Sequence, residues 1–195
     1  MTSIFTTGGI RGKKTHIGQF HPRGFNMGIS RKVYEVTHGY SGLRAGEDIE
    51  LSMRIIRAGF KTGLISEAFV YHKRRTTLKK FFRQVYRFGV ARINIYKLYK
   101  NELKLTHFFP AAFLIYCILM VLSPLISCGL FALMAGLLLL YILAIFLDSS
   151  IQNKSIKIGF LSICTAFIQH FGYGWGFLKN FWSRIIRGDE KGVKI

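Results

Sequence analysis

From Phe108 to Leu147 the chain carries no charged residue, and the same holds from Ile158 to Leu178. Everything before residue 108 is polar, basic and broken by glycine, so the chain divides into a polar part of about a hundred residues, enough for a small core only, and an apolar part. As one helix, residues 108–147 would extend about 60 Å, twice the roughly 30 Å of a hydrocarbon core. The pattern therefore predicts two passes, about 108–127 and 129–147. Ser123-Pro124 and Ser127-Cys128-Gly129 mark the hairpin, and Asp148 ends the second pass. The third stretch, 158–178, contains Gln169, His170 and three glycines at 172, 174 and 176. A full crossing would carry Arg184, Arg187, Lys191 and Lys194 to the far side, against the tendency of basic residues to stay cytoplasmic. The expectation is a re-entrant or third spanning segment and a basic cytoplasmic tail, 179–195.

The polar part shows shorter periodicities. Ser30 suits the N-cap of a helical turn, Arg31 to Thr37, that Gly39-Tyr40 ends. After Gly46, the apolar positions Leu51, Met53, Ile55 and Ile56 supply one stripe of a helix from about Asp48 to Ala58, closed by Gly59. Glu50 and Arg54 form an i,i+4 pair that reads as lying on its exposed side. Lys61–Ile65 and Ala68–Tyr71 are rich in strand formers and read as two short strands or one bent strand. Thr76-Thr77 can cap a helix beginning at Leu78, in which Phe81, Phe82, Val85 and Phe88 alternate with Lys79, Lys80, Arg83 and Arg87. A basic amphipathic helix before an apolar block is expected at a membrane surface, where anionic lipid attracts each cation by about 1 kcal/mol.

The net charge of +19 invites a nucleic-acid reading. The basic residues are densest between Lys73 and Lys104, directly before the apolar block, which favours membrane topology and argues against nucleic acid. Cys117, Cys128 and Cys164 all sit in apolar segments with no Cys-x-x-Cys pair, so neither a metal knuckle nor a disulfide framework is implied. No N-terminal apolar run resembles a signal peptide, and the polar part is expected in the cytoplasm. His16 and His21 have no third ligand at a metal-binding spacing.

Candidate chemistry concentrates at Glu47-Asp48, in a chain with nine acidic residues. Carboxylates at a helix start satisfy free N–H groups and face the positive end of the dipole. A carboxylate at such a mouth can equally take a proton from an attacking hydroxyl, and composition does not separate the two readings. His72 stands at the end of a predicted strand, where α/β proteins place their ligands. The glycines of Pro22-Arg23-Gly24-Phe25-Asn26-Met27-Gly28 suit a turn whose backbone approaches a ligand closely.

The order Asn26-Met27, Gly39-Tyr40, Glu47-Asp48-Ile49-Glu50-Leu51, Arg54, Ala58-Gly59-Phe60 and Val70-Tyr71-His72 resembles the C-terminal half of a family 2 glycosyltransferase with the GT-A fold. The resemblance covers about Gly24 to Arg92 and continues into the anchor. It implies that Asp48, beside Glu47, is the catalytic base and that His72 helps hold a divalent metal, Mg or Mn. Gln84-Val85-Tyr86-Arg87-Phe88 resembles the Gln-x-x-Arg-Trp motif of processive members, with Phe88 in place of Trp. By resemblance Gly24, Asn26, Met27, Gln84, Arg87 and Phe88 bind donor or acceptor.

The three aspartates, Asp48, Asp148 and Asp189, allow no Asp-x-Asp metal motif, and the family's N-terminal nucleotide-binding half has no counterpart. The expectation is therefore a truncated product or the C-terminal part of a longer enzyme, inactive as this piece alone. The expected fold class is α/β, the C-terminal half of a Rossmann-like GT-A domain, followed by an α-helical transmembrane anchor. Residues 1–75 would be the catalytic part, 76–107 the interfacial helix region, 108–178 the membrane domain and 179–195 the tail. The expected function is inverting transfer of a sugar from a nucleotide-sugar donor to a hydroxyl of a lipid-linked or polysaccharide acceptor, in polysaccharide or glycolipid synthesis at the cell membrane. Membrane lipids and other envelope-biosynthesis subunits are the further partners. The alternative is a non-catalytic membrane module binding anionic lipid or a partner subunit.

Overall fold

The structure, a computed structural model, describes residues 17–18, 21–43, 45–65, 67–71 and 76–189. In chain order the elements are β1 (Ile17–Gly18), α1 (Arg31–Thr37), α2 (Glu47–Arg57), β2 (Thr62–Gly63), α3 (Leu78–Leu98), α4 (Phe109–Leu122), α5 (Cys128–Asn153) and α6 (Ile156–Phe181). Short 3-10 turns at Lys100–Glu102, Leu105–His107 and Ser123–Leu125 connect the later helices, and a π-helical turn, Trp182–Ile186, follows α6.

The helix starts follow local chemistry. The Ser30 hydroxyl accepts from the Val33 N–H and the Thr77 hydroxyl from the Lys80 N–H, each satisfying one of the free donors at a helix N-terminus. Gly46 begins α2 without a side-chain cap, at φ 84°, a conformation that only glycine adopts freely. It is also sterically required: a Cβ there would stand 3.1 Å from both Ala91 Cβ and Ile95 Cδ1. The start of α2 thus rests directly on α3.

The α/β expectation needs correction. Among the described residues the only named strands are β1 and β2, two residues each, paired antiparallel with Ile17 opposite Gly63. Residues 68–71 form no strand. A two-stranded ribbon is marginal without a third strand or a covering helix, and here the strand-forming side chains Ile65, Phe69, Val70 and Tyr71 all remain exposed. No GT-A core is present among the described residues, and the architecture is helical.

Two helical expectations also change. The segment 158–178 belongs to one continuous helix, α6, running from Ile156 to Phe181, which removes the re-entrant alternative of the two expected. The basic helix α3 does not merely lie on a surface, because one of its faces is buried against α6. At that contact the backbones nearly touch. A Cβ on Gly89 would come within 2.2 Å of the Tyr173 carbonyl oxygen, and one on Gly176 within 2.2 Å of the Tyr86 carbonyl oxygen. Gly172 lies over Val85, while Gly174 faces the Pro110 carbonyl of α4 at 2.6 Å from the position of a Cβ. Small residues at such spacing let helix axes approach closely. The three glycines of this segment are therefore packing residues.

Past the glycines, the buried Asn180 amide donates to the Val90 carbonyl and to Asn94 Oδ1, both at 2.9 Å. Val85 meets Gly172 and Asn94 meets Asn180, so α3 and α6 run in the same direction. Ile93, Ala111 and Phe177 form a buried core there, with Leu103, Tyr173 and Phe181 packed on it.

The hairpin falls where expected, but the helix bounds shift. With its 3-10 extension the first apolar helix covers Phe109–Leu125, shorter than a span. α5 continues through Asp148 to Asn153, with the Gln152 amide donating to Asp148 Oδ1 at 2.6 Å. Among the described residues α5 alone is long and apolar enough to cross a membrane, at about 39 Å for 26 residues.

Candidate active site

The acidic pair opens α2, and the three carboxylates of its first turn have different surroundings. Asp48 and Glu47 are half-buried at the mouth, whereas Glu50 is fully buried. Asp48 Oδ1 accepts from the Ile49 N–H at 2.9 Å, so the carboxylate performs part of the capping chemistry its position allows. Its other oxygen, Oδ2, faces the Gly24 N–H at 3.4 Å. The Ser52 hydroxyl donates to the Asp48 carbonyl at 2.6 Å and fixes the first turn.

Gly24 occupies a tight turn in which the Asn26 N–H donates to the Arg23 carbonyl at 2.9 Å. A Cβ added to Gly24 would stand 3.1 Å from the Tyr40 hydroxyl and 3.7 Å from Asp48 Cβ. Gly24, Tyr40 and Asp48 therefore converge. Partial burial, then the negative charges of Asp48 and Glu47, push the Tyr40 phenol above its ordinary pKa and keep it a protonated donor. In the sequence, Tyr40 belongs to a helix stop and to the run of residues that carries the family resemblance, without a site role of its own. The signal available was an aromatic residue after glycine in the loop leading to the acidic pair.

The Glu50–Arg54 pair is the opposite of an exposed helix-face pair, and that expectation is overturned. Arg54 Nε donates to Glu50 Oε1 at 2.7 Å, and Nη2 donates to Oε2 at 2.9 Å. The Tyr99 hydroxyl, from beyond α3, donates to Oε1 at 2.8 Å. Arg54 also donates to the carbonyls of Thr37 and, at 2.6 Å, Gly39. Burial alone would raise the Glu50 carboxyl, but the hydrogen bonds from Arg54 and Tyr99 outweigh it and hold the group below its ordinary value. Burial and the Glu50 bond push the Tyr99 phenol up to about 12. Arg57 caps this corner by stacking over the Tyr99 ring, 4.1 Å from its centroid. The network ties α2 to the loop that carries Tyr40, so Glu50 and Arg54 position the site without entering it.

The remaining sequence candidates divide. Asn26 is exposed, and its amide donates to the Ala68 carbonyl at 3.0 Å, tying the turn at Arg23–Asn26 to that segment. Met27 is half-buried. Gln84 is half-buried, while Arg87 and Phe88 are exposed. All three lie within two turns of Ala91, where Gly46 docks, but none of them hydrogen-bonds Asp48 among the described residues. His72 lies outside the described residues. Among the described residues no three His, Cys, Asp or Glu side chains gather to hold a metal ion. The described donors do not compose a hard-cation site, which needs several oxygens around one point.

A half-exposed carboxylate held at a helix mouth, opposite a backbone amide and a phenol, defines a site able to accept a proton from a bound hydroxyl. The comparisons give the class its name. Residues 15–179 match the family model described as Glycosyl transferase family group 2, and the chain belongs to that family. Searches of curated proteins and of solved structures each returned no match. Membership carries glycosyl transfer as the reaction, with a nucleotide-sugar donor and an acceptor.

Proposed function

We propose that this chain forms the acceptor side of a membrane-embedded, inverting glycosyltransferase in which Asp48 is the general base. Asp48 removes the proton from the acceptor hydroxyl, the freed oxygen attacks the anomeric carbon, and the nucleoside diphosphate leaves from the opposite face. The observation that carries this reading is the contrast within one helix turn. Glu50 is closed off by Arg54 and Tyr99, while among the described residues Asp48 Oδ2 meets only the Gly24 amide, at a long 3.4 Å. An acceptor hydroxyl can compete for an oxygen so weakly held. Tyr40, beside it, supplies a second hydroxyl to orient the sugar. By resemblance Gln84 and Arg87 contact the donor diphosphate or the acceptor, and His72 is a ligand for a divalent metal. Because the described residues do not build a metal site, no step is assigned to one.

The membrane reading is supported by α5, by the charge-free run from Phe108 to Leu147, and by the exposed apolar side chains along α4 and α5, among them Leu119, Val121, Leu133 and Leu140. The basic surface of α3 supports a site on the cytoplasmic side.

The test is sugar transfer by the complete protein in membranes. Asp48→Asn keeps the size and the Ile49 cap, and should lower turnover by at least about 100-fold, the low end of general-base effects. Unchanged turnover at unchanged expression would overturn the assignment.

A further inference from the structure

Tyr40 reaches Asp48 from a turn that is costly to hold. His38 and Gly39, the two residues before Tyr40, both stand in the left-handed region, at φ 55° and φ 75°. Glycine adopts that conformation freely, whereas a residue with a Cβ does so under strain, and such strain persists only where the surroundings over-determine it. Here the surroundings are one guanidinium. Arg54 donates to the carbonyls on both sides of His38, to Thr37 through Nη1 and to Gly39 through Nη2, the latter at 2.6 Å. Tyr40 is the next residue, so Arg54 fixes the backbone from which the phenol stands beside Gly24 and Asp48.

Arg54 takes its own orientation from the buried Glu50, and a residue from the far end of α3 enters at that point. Glu50 Oε1 accepts from Arg54 Nε at 2.7 Å and from the Tyr99 hydroxyl at 2.8 Å, while Oε2 accepts from Arg54 Nη2 at 2.9 Å. Tyr99 is the C-cap of α3, its N–H donating to the Ile95 carbonyl at 2.7 Å, and Ile95 is one of the side chains on which Gly46 rests. The Arg57 guanidinium covers the Tyr99 ring, 4.1 Å from its centroid, and faces Glu102 in the turn that follows, at 3.9 Å. Glu50 and Arg57 lie two turns apart on one face of α2, so the exit of α3 meets α2 at two points and Tyr99 is itself held in place. Without the Tyr99 hydroxyl, Glu50 would still be paired with Arg54 through both of its oxygens. The hydroxyl therefore aims the pair; it is not what keeps the buried charge compensated.

We propose that Tyr99 is a positioning residue for glycosyl transfer: its hydroxyl, donated from the end of α3 to Glu50, orients Arg54 on the His38–Gly39 turn and thereby sets the Tyr40 phenol against Asp48. The consequence for transfer rests on the reading of Asp48 as base; the coupling from Tyr99 to the Tyr40 turn does not. Because α3 is packed on α6, Tyr99 is the point through which the helical scaffold adjusts the geometry of the site.

The test uses Tyr99→Phe, which removes the hydroxyl and keeps the ring under Arg57, in the complete protein in nanodiscs. Hydrogen exchange requires no turnover: the amides of residues 38–41 should exchange about tenfold faster, with those of α6 unchanged. In sugar transfer, Tyr99→Phe should lower kcat/KM for the acceptor about tenfold, the worth of one hydrogen bond to a charged group, and leave KM for the donor unchanged. Tyr40→Phe should lower the same parameter, and the double variant should be no worse than the poorer single one, because both changes break one link. Losses that multiply in the double variant, or faster exchange spread equally through α6, would make Tyr99 a structural residue and overturn the inference. Unchanged exchange at residues 38–41 would overturn it as well. Should Tyr99→Phe fold poorly, Arg57→Gln, at a half-exposed side chain, uncovers the Tyr99 ring and should give the same local pattern at about threefold; no change at residues 38–41 would again count against the coupling. Asp48→Asn should leave the exchange response to Tyr99→Phe intact. Transfer surviving in Asp48→Asn with that response present would sink the base assignment alone, and transfer lost in Asp48→Asn with no response at residues 38–41 would sink this inference alone.

Discussion

The region around α2 and the contact between α3 and α6 are held together in opposite ways. Around α2, cohesion is directional and passes through one side chain: Arg54 satisfies Glu50 and two backbone carbonyls, and Tyr99 completes the carboxylate. Between α3 and α6, cohesion depends on side chains that are missing, because Gly89, Gly172 and Gly176 let backbone meet backbone. The first region is vulnerable to deletion and the second to addition. The difference fits what each does: a site needs orientation, which hydrogen bonds give, and a scaffold needs fixed separation, which close packing gives.

The largest effect should come from deletion. Arg54→Ala strands the buried Glu50 charge and should cost about 3–5 kcal/mol, read as thermal unfolding in detergent. The double change Glu50→Met, Arg54→Met sharpens the point. Apolar replacement of an isolated buried pair can be neutral, but here it leaves the Thr37 and Gly39 carbonyls without their donor, so the double variant should remain clearly destabilised. A double variant as stable as wild type would reduce the network to an ordinary ion pair.

Addition comes next. Gly89→Ala or Gly176→Ala drives a methyl group into a backbone oxygen and should cost about 1–3 kcal/mol, with separation of α3 and α6 detectable by cross-linking. Asn180→Ala should cost about 1 kcal/mol, because Val90 and Asn94 lose a shared donor. If alanine at 89 and 176 is tolerated without loss, the close approach is not what joins the helices.

The smallest effects appear with pH. His107 is held neutral to about 4 in the folded protein, against 6.5 unfolded. The unfolded chain therefore takes up the proton first, and stability present above about pH 6.5 drains away as pH falls toward 4. Glu50, held below its ordinary value of 4.5, loses its contribution as pH falls from about 4.5 downward, at the acid end of that window and beyond it. A melting-temperature profile of His107→Gln should be flatter between pH 6.5 and 4 and should keep the steeper fall below it.

What the sequence revealed follows physical range. Ser30, Thr77, Gly46 and Gly59 announced helix boundaries because capping is settled within four residues. The Asp48 mouth was visible for the same reason, and the family match confirms the glycosyltransferase resemblance. The burial of Glu50 was not visible: its partner Tyr99 is 49 residues away, and an i,i+4 pair has the same spelling exposed or buried. The strand expectation failed at Phe69 and Val70 because propensity needs neighbouring strands to become a sheet. The 172–176 glycine spacing did contain a signal, small residues one turn apart. Its counterpart, Gly89, belongs to another segment, so the spacing alone does not show what it packs against.

The same-direction contact of α3 with α6 has a geometric consequence for the candidate site. Gly46, two residues before Asp48, sits on Ala91 and Ile95 of α3, and α3 is registered against α6 by backbone contact and by Asn180. That route runs through packed helices, which sets the place of the carboxylate relative to α6. Under the role proposed for Asp48, the stack acts as a depth gauge: a hydroxyl presented at the level of the carboxylate meets it, and one carried higher or lower passes it by.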